Sequence, residues 1–302
     1  MLPLLADPPA APAPSARRMA AWKIALLTTL ALAVAGALAG AVVVFGGLYN
    51  VAATAPHLQP TYSLLERAMR SSVRLRAAGI EVPPLDSPVL VERGAACFRD
   101  HCVQCHGAPG VAPHDFSKSL QPVPSSLISA PREWRTRELY WITRHGIKMS
   151  GMPAWEFRMA DADMWAVVAF VRQLPMLGTA AYSERMGSVA GLRCDARPQA
   201  AASEAADSLA GNAGRGRVAL LQYGCTACHA IPGVAGPDIH VGTPLAGLGE
   251  REWIAGRLPN NTENLVRWIR EPQRVDPASA MPDMGVTHKD ARDMAAYLGS
   301  LR

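Results

Sequence analysis

The longest hydrophobic feature of the chain runs from Ile24 to Leu48 without one charged side chain. At about 1.5 Å per residue, a helix of that length crosses a hydrocarbon core about 30 Å thick. The pattern therefore predicts a transmembrane anchor over 24–48 behind a short N-terminal segment, 1–23. Arg17, Arg18 and Lys23 precede the run and no base closely follows it. This asymmetry keeps the N-terminus cytoplasmic and exports the rest. A cleaved signal peptide is the competing reading, with Ala53-Thr54-Ala55 as a small-residue site, but the run exceeds the roughly 7 to 15 apolar residues of a signal core. Gly36 and Gly40 form a G-x-x-x-G pair, which in so Gly/Ala-rich a span is read as chance.

Beyond the anchor the pattern changes to helical amphipathicity. Leu65, Met69 and Val73 recur at helical spacing while Arg67, Arg70, Arg74 and Arg76 occupy other faces, predicting a basic amphipathic helix near the membrane surface or against the first domain. This segment and the break at Pro83, Pro84 and Pro88 make up a connecting stretch, 49–87. A first folded unit is expected over 88–176. After Leu177 the chain drifts into Ala, Ser, Gly and Asp, densest from Asp195 to Gly216, and 177–211 reads as a linker. A second unit of similar size fills 212–302.

Composition narrows the classes. Charged residues make up 18% and Gly plus Pro are 25 each in 302 residues, which excludes a disordered or collagen-like chain. The formal charge of +5 is dispersed without a long basic run, so nucleic acid is not an expected partner. Six cysteines are too few for a disulfide scaffold, and their spacing carries the information instead.

Cys102-Val-Gln-Cys105-His106 and Cys225-Thr-Ala-Cys228-His229 repeat one pattern, each continuing to a Pro-Gly-Val-Ala, which indicates a duplication. C-x-x-C-H is the attachment signature of c-type haem: two thiols bond the porphyrin edge and the histidine becomes an axial ligand of the iron. One chance match is expected at roughly 0.003 for this composition, so two cannot be accidental. A four-cysteine zinc site would place its pairs about 15 to 20 residues apart, and a thioredoxin-like pair would need a βαβ surround that is absent. Two covalently bound haem c groups are therefore expected, on Cys102 and Cys105 and on Cys225 and Cys228, with His106 and His229 as axial ligands. Each motif is followed by an aromatic-bearing helix (Tyr140 and Trp141; Trp268), a Met-Pro, and a closing helix. Methionine usually fills core gaps, but the duplicated placement selects Met152 and Met281 as the second axial ligands over Met149 and Met284, which lack the proline. His57, His101, His114, His145, His240 and His288 have no counterpart in the other half and read as surface residues. A disulfide between Cys97 and Cys194 is left open.

These residues resemble the class I cytochromes c over both units. Gly94 and Phe98 precede Cys102 at the spacing of that family's N-terminal helix, and Met164 to Leu174 corresponds to its C-terminal helix. Gly216 and Leu220 precede Cys225 at an interval one residue longer. Thr287 and Asp290 cap the final helix, with Met294, Tyr297, Leu298 and Leu301 on one face. The resemblance implies a mainly α fold: an N-terminal transmembrane helix followed by two tandem class I cytochrome c domains. It also implies that a proline carbonyl orients each ligand histidine, with Pro124 and Pro244 as candidates. Through Ala255 to Asn260, Glu263 to Leu265 and Ala280 to Asp283, the second unit looks like cytochrome c domains associated with bacterial haem-copper oxidases. The implied role is an electron carrier, not an enzyme, in the inner membrane with its haem domains in the periplasm. It would take electrons from a redox protein donor and pass them to a terminal oxidase in a respiratory chain. The alternatives are the cytochrome subunit of a periplasmic dehydrogenase and, from the enzyme class, a dihaem cytochrome c peroxidase, against which the two Met-Pro positions argue.

Overall fold

The computed structural model describes residues 14–194, 211–237 and 241–302, which fall into two compact units divided at 196/197. Helix α1 spans Pro14–Phe45, and its apolar part, Ala21–Phe45, has a mean hydropathy of 2.3 with none of it buried. The predicted span reached Leu48, but Gly46 and Gly47 end the helix earlier, the second in a left-handed conformation. Helix α2 covers Gln59–Ala77.

In the first unit, α3 (Pro88–His101) crosses α5 (Asp161–Val171), with α4 (Thr136–His145) packed beside α5. Pro88 fits the first turn of α3, where its missing N–H is not needed. The two backbones touch at Gly94: a Cβ there would lie 1.9 Å from the Ala166 carbonyl oxygen. Beside this contact the Arg93 guanidinium forks onto the buried Asp163 carboxylate, and the Phe98 and Phe170 rings meet at 5.3 Å. α5 is buried on all sides from Asp163 to Val171, which accounts for its nearly unbroken apolar sequence.

The stretch expected to be a linker from 177 is folded as far as Cys194. Helix α6 (Thr179–Ser188) packs on α3, burying Tyr182 and Val189, and a disulfide joins Cys97 of α3 to Cys194. Arg99 donates to the Val189 and Leu192 carbonyls, and the Cys194 N–H donates to the Asp100 carboxylate. Composition misleads here because the extension is held by three anchors on α3 and by few large side chains of its own. Residues 195–210 lie outside the described residues. The expected connecting stretch, 49–87, is also partly folded onto this unit at its end: Leu85 is buried in its core and Ile80 packs against it.

The second unit repeats the crossing. α7 (Ala213–Gln222) meets α9 (His288–Gly299) at Gly216, whose Cβ would lie 1.8 Å from the Asp293 carbonyl oxygen, and α8 (Thr262–Arg270) packs against α9. The buried Asp293 carboxylate accepts from Arg215, Lys289 and the Asn212 N–H. Thr287 caps α9 by accepting from the Asp290 N–H at 3.1 Å. The extra residue between Gly216 and Cys225 is absorbed by Gly224, which is left-handed at φ 70°. A two-residue hairpin pairs Trp253–Ile254 with Leu258–Pro259.

Two expectations follow. Gly94→Ala and Gly216→Ala each force one crossing apart and should cost roughly 3 kcal/mol in the unit concerned, measured by denaturant unfolding. At Asp100, burial opposes the charge, but the Arg99 hydrogen bond, the Cys194 N–H and the charges of Arg99 and His101 outweigh it, holding the carboxyl below its ordinary 3.8. A depressed folded pKa contributes stability above the unfolded value that is lost as pH falls through the folded one. Amide protection of α6 should therefore decline below about pH 4, and Asp100→Asn should abolish that decline.

Candidate haem sites

α3 delivers the first motif at its C-terminal end. Cys102 caps the helix, and a single further turn, Val103–His106, carries Cys105 and His106. Gly107, left-handed at φ 64°, turns the chain out of that helix, and a Cβ there would meet the Val111 carbonyl oxygen at 2.7 Å. The second motif sits on a 3₁₀ turn, Cys225–Ala227, again closed by a backbone bond from the histidine N–H to the first cysteine carbonyl, 3.0 Å in both units.

Both histidines are oriented in the same way. His106 Nδ1 lies 2.6 Å from the Ser125 carbonyl oxygen, and His229 Nδ1 lies 2.8 Å from that of Thr243. A carbonyl can only accept, so Nδ1 carries the proton and Nε2 keeps its lone pair free to ligate. Burial lowers the His106 pKa against the opposing Ser125 bond, which favours the neutral ring. The prolines implied by the resemblance are not the acceptors. The carbonyl used is one position after Pro124 and one before Pro244, and the Pro244 carbonyl accepts from Arg251 instead. The intervening loops differ between the units, Ser125 lying 19 residues after its histidine and Thr243 lying 14, and the carbonyl that reaches the ring shifts with them. In the second unit Gly242 donates its N–H to the Cys228 carbonyl, and a Cβ on it would lie 2.7 Å from His229 Cε1. A glycine is needed there to let the strand pass the ring.

The methionines are held by a local device repeated in both units. The Met152 N–H donates to Ser150 Oγ, and the Met281 N–H donates to Ser279 Oγ, each at 3.2 Å. Met152 and Met281 are half-buried, whereas Met149 is 92% exposed and Met284 is 49% exposed. The Ser-x-Met-Pro spacing was present in the sequence, and the serine is the part of the signal that the Met-Pro reading missed. Gly146, left-handed at φ 65°, brings the end of α4 against the Met152 loop, with its missing Cβ 2.6 Å from the Met152 carbonyl oxygen.

The four motif thiols are free, and burial raises Cys102 to about 12 and also raises Cys105 and Cys225. Among the described residues, the one set of tightly clustered donor atoms is Cys97, Asp163 and Cys194, whose sulfurs are spent in the disulfide. Thiols that form no donor cluster with other described ligating side chains, set beside an oriented imidazole, fit attachment to the edge of a large macrocycle and not a common ion. His101 departs from its expected surface role: its Nε2 is buried without a partner beside Cys102, with the ring 5.0 Å from Trp155. His57, His114, His145 and His288 are exposed, and His240 lies outside the described residues.

Residues 89–171 match the family described as cytochrome c oxidase, cbb3-type, subunit III, and residues 213–302 match cytochrome c. Together with the crossing helices and the paired motifs, these matches define two class I cytochrome c domains, a fold that holds covalently bound haem c. Among characterised proteins the chain is similar to cytochrome c oxidase subunit 2 of Alkalihalophilus pseudofirmus, 38% identical over 91 residues, which is 30% of this chain and 26% of that protein. It is also similar to cytochrome c oxidase subunit 2 of Bacillus sp. (strain PS3), 36% identical over 88 residues, 28% of this chain and 25% of that protein. The chain thus covers about a quarter of the length of these relatives. No solved structure matches it.

Gly242→Ala should push the His229 ring off the Thr243 carbonyl. The expected outcome is an altered visible spectrum for one haem of the holoprotein with the other unchanged.

Proposed function

We propose that the chain is a membrane-anchored dihaem c-type cytochrome that carries single electrons in a bacterial respiratory chain, passing them to a terminal haem-copper oxidase. The observation that carries this reading is the duplicated arrangement itself: in each unit an imidazole with Nε2 free and a methionine pinned by its serine follow one C-x-x-C-H. Cys102 and Cys105 would hold one haem and Cys225 and Cys228 the other, with His106 and Met152, and His229 and Met281, as the side chains that would ligate the irons. When bound, haem supplies an iron that exchanges one electron between ferrous and ferric states. The protein's part would be to offer both a histidine and a methionine to each iron, so that no substrate reaches the metal and no bond in a partner is made or broken. The Ser125 and Thr243 carbonyls hold the imidazoles in one tautomer. The thioether donors favour the ferrous state and a high potential, suited to the oxidising end of a chain.

Helix α1 supports the anchor, and Arg17, Arg18 and Lys23 before it support a cytoplasmic N-terminus. Trp22 and Tyr49 stand at the two ends of the apolar stretch, where interfacial aromatics concentrate. The Cys97–Cys194 disulfide supports a periplasmic location, since such bonds persist on the oxidising side. The similarity to oxidase subunits favours an oxidase as acceptor over a dehydrogenase as donor-side partner.

An anaerobic optical redox titration of the reduced and oxidised holoprotein, with CO added to the reduced form, tests the reading. Two high-potential haems that ignore CO are expected. Met152→Leu should open only the first haem to CO and Met281→Leu only the second, while Met149→Leu and Met284→Leu leave both closed. CO binding by the unsubstituted protein would overturn the closed-site carrier and restore the peroxidase alternative.

A further inference from the structure

Helix α2 carries two apolar faces, of which the first domain uses one. Val73 and Ala77 are fully buried on that domain. Arg70 fixes the same side, bonding Glu66 and Glu133 with its guanidinium 4.7 Å from the centre of the Trp134 ring. Arg137 of α4 donates to the Ala78 carbonyl at the end of α2. At about 100° per residue, Leu64, Ala68 and Leu75 lie on the opposite side of the helix from Val73, with Leu65 at their edge. Leu64, Leu65 and Leu75 are 69%, 53% and 75% exposed. Arg67 and Arg74 line one edge of this stripe, and neither has an ion pair or side-chain hydrogen bond with a described residue. An exposed leucine stripe edged by unpaired arginines is the pattern of a helix lying in a lipid interface.

The covalent path from the membrane favours lipid as the occupant. Only Gly46–Leu58 separates α1 from α2, at most about 45 Å of chain if fully extended, and it is not extended. The Tyr49 hydroxyl bonds the His57 ring, and Asn50 and Ala52 close short turns. We propose that α2 lies on the anionic outer face of the membrane with Leu64, Ala68 and Leu75 among the acyl chains and Arg67 and Arg74 on the headgroups. Because its other face is locked to α4, the helix fixes the orientation of the first cytochrome domain on the bilayer. This rests on the reading of α1 as a membrane anchor. It resolves the two sequence expectations for α2, since the helix packs on the domain and presents a second face to lipid.

The test uses the full-length holoprotein in vesicles of phosphatidylcholine and phosphatidylglycerol that contain a phospholipid with a diazirine on one acyl chain. After irradiation and denaturation, cleavage following glutamate at Glu66, Glu81, Glu92 and Glu133 gives fragment 67–81 for α2 and 93–133 for the domain surface, while adducts within 21–45 report the anchor. Fragment 67–81 should be labelled well above 93–133. Arg67→Gln and Arg74→Gln should each lower that labelling about fivefold on anionic vesicles. Leu75→Gln, which adds no cleavage site, should reduce it to the level of 93–133, with labelling of 21–45 and the haem spectrum unchanged. Labelled 21–45 with 67–81 no higher than 93–133 would overturn the proposal and leave the anchor standing. Unlabelled 21–45 would instead overturn the anchor. Labelling of 67–81 that survives Leu75→Gln would also overturn the proposed face.

Discussion

Everything in each domain depends on one close approach between two helices. At Gly94 and at Gly216 the facing backbone comes within a distance that no side chain could occupy, and beside each glycine an arginine reaches a buried aspartate on the opposite helix. Burying a carboxylate is costly unless its partner and hydrogen bonds are in place. The glycine brings the helices near enough for the arginine to reach, and the ion pair then penalises any sliding that would separate them. The helix so fixed ends within a few residues of the first motif cysteine. A rigid crossing becomes a rigid placement of the thiols and the histidine.

From that fixed point the surroundings of each site are set by short-range bonds. The histidine takes its orientation from a carbonyl 19 residues on in the first unit and 14 residues on in the second. The methionine takes its own from a serine two residues back. Such local devices tolerate loops of different length, because each needs only one carbonyl or hydroxyl to arrive at the right place. This is why two units with unlike intervening loops make the same pair of bonds, one to the histidine and one to the methionine.

The same distinction explains what could be read from the sequence. The crossing helices, both C-x-x-C-H turns and the Met-Pro loops announce themselves by spacing over a few residues, and the cap at Thr287 by a local motif. The Ser125 and Thr243 carbonyls did not, since a backbone acceptor has no residue identity and only the loop path selects it. The extension from 177 to 194 was also misread. Its disulfide joins positions 97 residues apart, and its remaining anchors are arginine bonds to carbonyls. Nothing in its own composition marks it as folded. His101 is half-buried for a related reason: Trp155, far from it in sequence, lies against its ring.

Each unit therefore has its own core built on the same helix crossing, and the two differ in what is built around it. The first carries α2 on α4 and the α6 extension on α3, so two of its outer helix surfaces are covered by segments outside the motif-bearing core. The bonds that position His106 and Met152 lie within 88–176 and involve neither addition. A cytochrome's outer surfaces decide where it docks and how it is held, whereas its iron surroundings decide its potential. With the two determined by separate sets of residues, α2 and α6 can shape the outer surface of the first domain while the bonds of Ser125 and Ser150 around the motif stay the same.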